Sequence, residues 1–251
     1  MSSTTSAHLK YFLPPSDGRR VYTNINADPV TGKADRSWVE DDHEAQIENV
    51  RGSEDDYTLD NSGFQFYRRP AKHTSASSAV IFDHTIRRHR PGEADDSPQR
   101  RQPVSLVHVD HTTASSIARV HRHLPPTDAP ALLRRRFQII NLWRPISHAA
   151  LGWPLALCDY RSVAKKDLIP VALIYPDREG EILGIRYNPN HKWKYLRGME
   201  PDELVLIKCF DSVQDGSVAV MTPHTGFQDP TTPEDAPLRE SIELRVLVFY
   251  D

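Results

Sequence analysis

The sequence predicts a mainly β fold with flanking helices, in the class of sandwiches, barrels and jelly rolls. Three observations carry that expectation. Short apolar runs recur between residues 137 and 250, with turn-forming residues separating them. Twenty prolines in 251 residues favour loops over long helices. Neither an internal repeat nor an alternation of strand and helix is visible, which argues against a parallel α/β sheet.

Residues 1–75 read as an N-terminal arm packing on the core, and residues 76–251 as the main domain of what is one structural domain. In the arm, HLKYFLPP and GFQFYRRP are strand candidates, the second ended by Pro70, with polar, acidic segments such as EDDHEAQIENVRGSEDD between them. KHTSASS (72–78) is a small-residue linker. AVIFDHTIRR (79–88) is the first convincing strand, and HRPGEADDSPQRRQP (89–103) is loop by composition. VSLVHV (104–109) reads as a strand. TTASSIARVHRHLP (112–125) has helical spacing with Thr112 or Thr113 as N-cap, and DAPALLRRR offers a second short helix with Asp128 near its start. Strand-like runs follow at 137–146, 155–160, 171–176, 182–188, 192–196, 203–211, 217–222 and 241–250.

Composition excludes several classes. A net charge of −3 argues against a nucleic-acid partner, which needs a basic face. The basic run Arg87–Arg90, with Arg100 and Arg101, encloses Glu93, Asp95 and Asp96 and reads as a solvated loop. No stretch is long and apolar enough for a membrane span or a signal peptide. Two cysteines, Cys158 and Cys209, both in apolar runs, fit a reducing compartment rather than a disulfide framework. A soluble, cytoplasmic protein is expected.

The chemistry concentrates in VHVDHT. Side chains two apart in a strand share a face, so His108 and Asp110 set an imidazole beside a carboxylate, able to share one cation. Adjacent His111 falls on the opposite face and is not expected to be a ligand. Two histidines and a carboxylate on one triangular face suit a non-haem iron that keeps positions open. His224, after an apolar run in MTPHTGFQDP, is the candidate third ligand; His84 and His191 compete for the place. Fifteen positions later, Arg239 and Ser241 head the last strand on one face, with Arg245 on the same face. An arginine fork and a hydroxyl are suited to a carboxylate; a rim arginine paired with Glu240 or Glu243 is the alternative. Asn141 and Arg144 lie on opposite faces of their strand, so at most one points inward. They join Tyr175 and Lys208, at the ends of apolar runs, as candidate substrate contacts. Trp143, Trp153 and Trp193 read as packing residues. No Gly-rich phosphate loop, Cys-x-x-Cys pair or G-x-S-x-G elbow is present.

Taken together, FDHTIRR, VHVDHT, FQIINLWRPI, LALCDYRSV, LIYPDREGE, YNPNHKW, MEPDELVLIKCFDS, PHTGFQDP and RESIELRVLVFY occur in an order that resembles the fungal gibberellin-desaturase-like family, itself similar to the cephamycin 7α-methoxylation component. The resemblance covers roughly residues 44–250. It implies a double-stranded β-helix (jelly-roll, cupin-like) core and an iron(II)/2-oxoglutarate-dependent oxygenase that uses O2 to hydroxylate, desaturate or cyclise a small secondary metabolite. It further implies that His108, Asp110 and His224 hold iron(II), and that Arg239 with Ser241 holds the tail of 2-oxoglutarate, with Arg245 as a supporting or alternative cation. The chain departs from the family where only AKHTSASSA joins GFQFYRRP to VIFDHTIRR, at His111, where the family shows glutamine, and in HKWKYLRGM. A metal-dependent hydrolase or isomerase on the same fold, and a non-catalytic binding protein, are the rival readings.

Overall fold

Period-two alternation through SIELRVLVFY builds the last strand of the chain, which lies between two others in one sheet. The computed structural model describes residues 4–27, 34–68, 78–93, 95 and 98–251. Its strands, in chain order, are β1 (Thr4–Leu13), β2 (Tyr22–Ala27), β3 (Ala34–Arg36), β4 (Val39–Asn49), β5 (Phe64–Arg68), β6 (Ser78–Arg88), β7 (His108–Val109), β8 (Phe137–Pro145), β9 (Leu155–Cys158), β10 (Leu168–Ile174), β11 (Glu179–Ile185), β12 (Trp193–Tyr195), β13 (Glu203–Asp211), β14 (His224–Gly226) and β15 (Glu240–Phe249). Helices α1 (Thr113–His123) and α2 (Ala129–Leu132) lie between β7 and β8.

Among the described residues these strands form two sheets of a jelly roll, ordered β1-β4-β12-β9-β14-β7-β11-β10-β2-β3 and β5-β13-β8-β15-β6. The five-stranded sheet is antiparallel throughout, with β8 between β13 and β15. With a strand on each side, FQIINLWRP (β8) and ELVLIKCFD (β13) are buried along almost their whole length. Strand β9 shows how the larger sheet is used on both faces. Leu157 packs between the sheets with Trp143, Val205 and Ile207, while Ala156 and Cys158 face the other way, onto Leu9, Tyr11 and Ile185. Truncating a fully buried leucine such as Leu157 costs roughly 2–5 kcal/mol.

Two regions differ from the sequence reading. The acidic stretch holds β4, which pairs with β1 over ten residues, from Thr4↔Glu48 to Leu13↔Val39. Its period-two signal is masked by charge: Glu40, Asp42, Glu44 and Gln46 are exposed, whereas Asp41, His43, Ala45 and Ile47 are sheltered. The first seventy-five residues thereby supply strands to both sheets. Conversely, Ser217–Thr222 is not a strand. Ala219 donates to the carbonyl of Asp60 rather than to a neighbouring strand, and the run is a loop, buried at Ala219, Met221 and Thr222, that leads to His224. Gly63, at φ +89°, makes that path possible, since a Cβ there would lie 2.6 Å from the carbonyl oxygen of Met221. The strand expected at 104–109 is reduced to β7, with one further bridge from Leu106 to Lys10. The linker expected at 72–78 falls outside the described residues except for Ser78. Helix α1 begins as expected: Thr112 accepts from the Ser115 amide, and Ser115 returns the bond to the Thr112 amide.

Glu203, at the head of β13, ties the sheet to the turn after β4. Its carboxylate accepts from Arg51 at 2.7 Å and from Arg68 at 2.9 Å. Burial would raise its pKa, but the Arg51 and Arg68 guanidiniums outweigh this and hold it at about 2, below the ordinary 4.5. A depressed carboxyl stabilises the fold above pH 4.5, and that contribution is lost as pH falls towards 2. Thermal melting of Glu203→Gln should therefore lie below wild type at neutral pH, with the difference shrinking across this window. A constant offset between the two would contradict the pairing.

Candidate metal centre

Strands β7 and β14 are adjacent in the larger sheet, and His108 lies directly opposite His224 in their register. Their rings stand 4.6 Å apart, centroid to centroid. Asp110, two residues beyond His108, turns to the same side and brings Oδ1 within 3.4 Å of His108 Nε2. One donor atom from each of the three residues lies within 4.8 Å of the others. Both imidazoles are pinned from behind. His108 Nδ1 donates to the carbonyl of Leu106 at 2.7 Å, and His224 Nδ1 to that of Thr222 at 2.9 Å. With the proton on Nδ1 in each, both Nε2 lone pairs are left to face Asp110. Burial, and then the neighbouring His108, push the His224 pKa down to about 4, so it is a neutral donor at physiological pH. Two neutral imidazoles and a carboxylate fit a divalent ion of the iron(II) type with positions to spare.

The carboxylate is held from the other sheet. Asp110 Oδ2 accepts from Asn141 Nδ2 at 2.5 Å, and Arg245 Nε and Cys209 Sγ approach it at 3.4 and 3.7 Å. Burial alone would raise the Asp110 pKa; Arg245, then His108, keep it well below the carboxylate range. Arg245 is itself shared among carboxylates, reaching Glu243 at 2.5 Å and Asp83 at 2.8 Å. Asn141→Ala should thus weaken metal binding by about 10–100-fold, the usual effect of losing a residue that orients a ligand. His111→Gln should leave it unchanged, because His111 lies outside the triad, its Nδ1 facing Ser115 Oγ at 3.3 Å. Competition titration against a metal-sensitive dye would read both.

Arg239 and Ser241 lie behind the triad. A narrow cavity of about 20 Å3 connects Arg239 to His108 and His224, with Trp143, Leu155, Ile207 and Gly226 among its walls. Arg239 is buried, yet its bonded partners are neutral: Nη1 donates to the Trp153 carbonyl at 2.7 Å and Nε to Ser241 Oγ at 3.2 Å. Trp153 adopts φ 52°, uncommon for a non-glycine residue, in presenting that carbonyl. Burial, reinforced by Arg87, lowers the Arg239 pKa to about 9, which still leaves a cation at neutral pH. The space holds about one water as the side chains stand; a larger anion must displace them. Gly226 keeps it open, since a Cβ there would come within 3.1 Å of Arg239 Nη1.

In front of the triad a second cavity, of about 290 Å3, opens between α1 and β10–β11 and reaches Asp110 and His111; Tyr175 is in its wall. The remaining candidates lie elsewhere. Arg144 points to the carbonyls of Pro145 and Pro201, on the face opposite Asn141. Lys208 is fully buried against Asp60 and Asp211, at 2.9 and 2.7 Å. His84 is exposed on β6, and His191 bonds Asp167 at 3.2 Å. Glu243 was overlooked as a wall residue and Cys209 as a neighbour of Asp110. The parity 239, 241, 243, 245 carried the signal for Glu243; nothing local marked Cys209.

The chain resembles known proteins in both sequence and fold. A family model described as "Oxidoreductase/YMDC permease-like domain" matches residues 9–77 and 71–249. The hydroxylase/desaturase asaB of Aspergillus flavus is 32% identical over 93% of this chain and 96% of its own length. The Fe(II)/2-oxoglutarate-dependent dioxygenase nvfI of Aspergillus novofumigatus is 30% identical over 95% and 94%. A solved structure of the iron and alpha-ketoglutarate-dependent endoperoxidase NvfI superposes with a TM-score of 0.85 at 26% identity, covering 99% of this chain and 98% of that one. With its donor triad, its buried guanidinium and these relatives, the chain belongs to the family of fungal iron(II)/2-oxoglutarate-dependent hydroxylases, desaturases and endoperoxidases.

Proposed function

We propose that His108, Asp110 and His224 hold iron(II), that Arg239 and Ser241 receive the far carboxylate of 2-oxoglutarate, and that the enzyme uses O2 to oxidise a small secondary metabolite in the cavity walled by α1 and Tyr175. The observation that carries this reading is the pairing of a two-histidine, one-carboxylate triad with a buried arginine that, among the described residues, is bonded to neutral groups only, across one narrow cavity. Iron(II) and 2-oxoglutarate together supply O2 activation, the cosubstrate leaving as succinate and carbon dioxide. The chain's own residues do the rest. Leu106 and Thr222 fix the imidazole tautomers, Asn141 and Arg245 hold Asp110 ionised and oriented, and Arg239 sets the cosubstrate's direction. Hydroxylation, desaturation and ring formation are all open to such a site.

Within the family, the ordered motifs favour the gibberellin-desaturase-like and cephamycin 7α-methoxylation-like branch. Residues 1–75 act as an arm on the jelly-roll domain 76–251, a reading supported by the strands they add to both sheets. A cytoplasmic setting without nucleic-acid or membrane partners is supported by two buried free thiols, a net charge of −3, and the lack among the described residues of any helix long and apolar enough to cross a membrane. Anaerobic addition of iron(II) and then 2-oxoglutarate should produce a visible charge-transfer band, and air should then yield succinate. Iron binding without any 2-oxoglutarate-dependent succinate would sink the assignment.

A further inference from the structure

The cavity in front of the triad carries two guanidiniums that have no hydrogen-bonded acceptor among the described residues. One face of α1 forms its wall, with Ala114, Ser115 and Ala118 nearest the triad end and Arg119 and Arg122 further along. Residues three apart share a helix face, and helical side chains lean towards the N-terminus, so both guanidiniums lean back over the cavity. Leu173 and Ile182 supply apolar surface opposite.

The other charges lining this space are spoken for. Arg20 pairs with Glu179 at 2.5 Å. Arg178 pairs with Asp177 and lies over the Tyr175 ring. Glu181 accepts from Thr112 at 2.5 Å, and Asp110 belongs to the triad. Asp83, the carboxylate whose field reaches Arg119, is bonded by Arg245. Among the described residues, Arg119 and Arg122 have no hydrogen-bonded acceptor. Arg119 is half-buried, with its guanidinium carbon 5.6 Å from the Phe82 ring centroid. An aromatic face at that position steadies the guanidinium plane and leaves its N–H edge open. Burial, and then the charge of Arg122, lower the Arg119 pKa, as expected for two cations without an anion between them. The C-terminal dipole of α1 accounts for a cation in its last turn, such as Arg122, but not for Arg119.

We propose that Arg119 and Arg122 form an anion subsite in the substrate cavity, and that the substrate is a small organic acid whose carboxylate they bind while its hydrocarbon body lies along Ala114 and Ala118 towards the triad. This rests on the assignment of that cavity to the substrate. Calorimetric titration of the full chain with hydrocinnamate and with its uncharged isostere hydrocinnamamide tests it, in metal-free protein and after anaerobic loading with iron(II) and 2-oxoglutarate. Wild type should prefer the acid by about tenfold or more, the scale of charge-assisted hydrogen bonds, and added salt should erode that preference. Arg119→Gln/Arg122→Gln should abolish the preference and leave amide affinity unchanged, and Arg119→Glu/Arg122→Glu should reverse it. Absence of acid preference in wild type, whether both probes bind alike or neither binds, overturns the subsite, as does a preference that survives in the Gln variant. A parallel loss of 2-oxoglutarate affinity would assign the arginines to the cosubstrate instead. Failure of 2-oxoglutarate to bind metal-loaded wild type would count against the oxygenase reading, separately from the acid–amide comparison in metal-free protein.

Discussion

Replacing His224 with alanine is expected to strip the metal and remove nearly all oxygenase turnover. The side chain is buried, stands opposite His108 in the sheet and has its Nδ1 proton committed to Thr222, so the Nε2 lone pair is left available to a metal. Loss of a group that merely orients a ligand costs about 10–100-fold in metal affinity, so loss of the ligand itself should exceed ~100-fold. Alanine also leaves the Thr222 carbonyl without its partner and a void beside Leu157, so a fold control is needed. His224→Gln keeps most of the volume and a polar end while removing the imidazole, and should lose metal equally. Metal content after anaerobic reconstitution, read beside 2-oxoglutarate consumption, checks both variants. Full occupancy in His224→Ala would break the triad. Neither His84, exposed on β6, nor His191, bonded to Asp167, is placed to restore it.

How much of this was legible in the sequence depended on whether a signal was local. The strand period put His108 and Asp110 on one side, and Arg239, Ser241, Glu243 and Arg245 on one face, without reference to any partner. Strands β8 and β13 were legible from a signal that is also local: their apolar runs are nearly continuous because both faces are covered. Strand β4 was not, because its exposed residues are acidic and its pairing with β1 and β12 is a tertiary fact. The run at 217–222 has strand composition, yet its backbone bonds a loop. Parity alone likewise did not separate Arg239 from Arg245. What separates them is company: Arg245 is surrounded by Asp110, Glu243 and Asp83, whereas Arg239 has a carbonyl and a hydroxyl.

That difference sets the expected result for Arg239→Ala: the apparent 2-oxoglutarate constant should rise more than about tenfold (~1.4 kcal/mol) while metal binding survives. A buried carboxylate deprived of its arginine loses roughly 2–5 kcal/mol, because the remaining charge is left unpaired. Arg239 suits such a partner because its surroundings hold it without neutralising it. The Trp153 carbonyl and Ser241 hydroxyl fix Nη1 and Nε, and the guanidinium carbon lies 5.0 Å from the Trp143 ring centroid, which leaves Nη2 for an incoming anion. Lysine cannot reproduce that fork, so Arg239→Lys should restore only part of the affinity. Ser241→Ala removes one hydrogen-bonding group and no charge, and should cost less than Arg239→Ala. Arg245→Ala should act differently again: by releasing Asp110, Glu243 and Asp83 it should weaken metal binding first and 2-oxoglutarate only in consequence. Anaerobic titration of 2-oxoglutarate against the iron(II) chromophore, with metal affinity measured separately, resolves the three. Unchanged affinity in Arg239→Ala with a selective loss in Arg245→Ala would move the anchor to Arg245. If neither variant altered 2-oxoglutarate binding, the buried cation would have no cosubstrate to hold, and a metal-dependent hydrolase or isomerase on this fold would become the better account of the same triad.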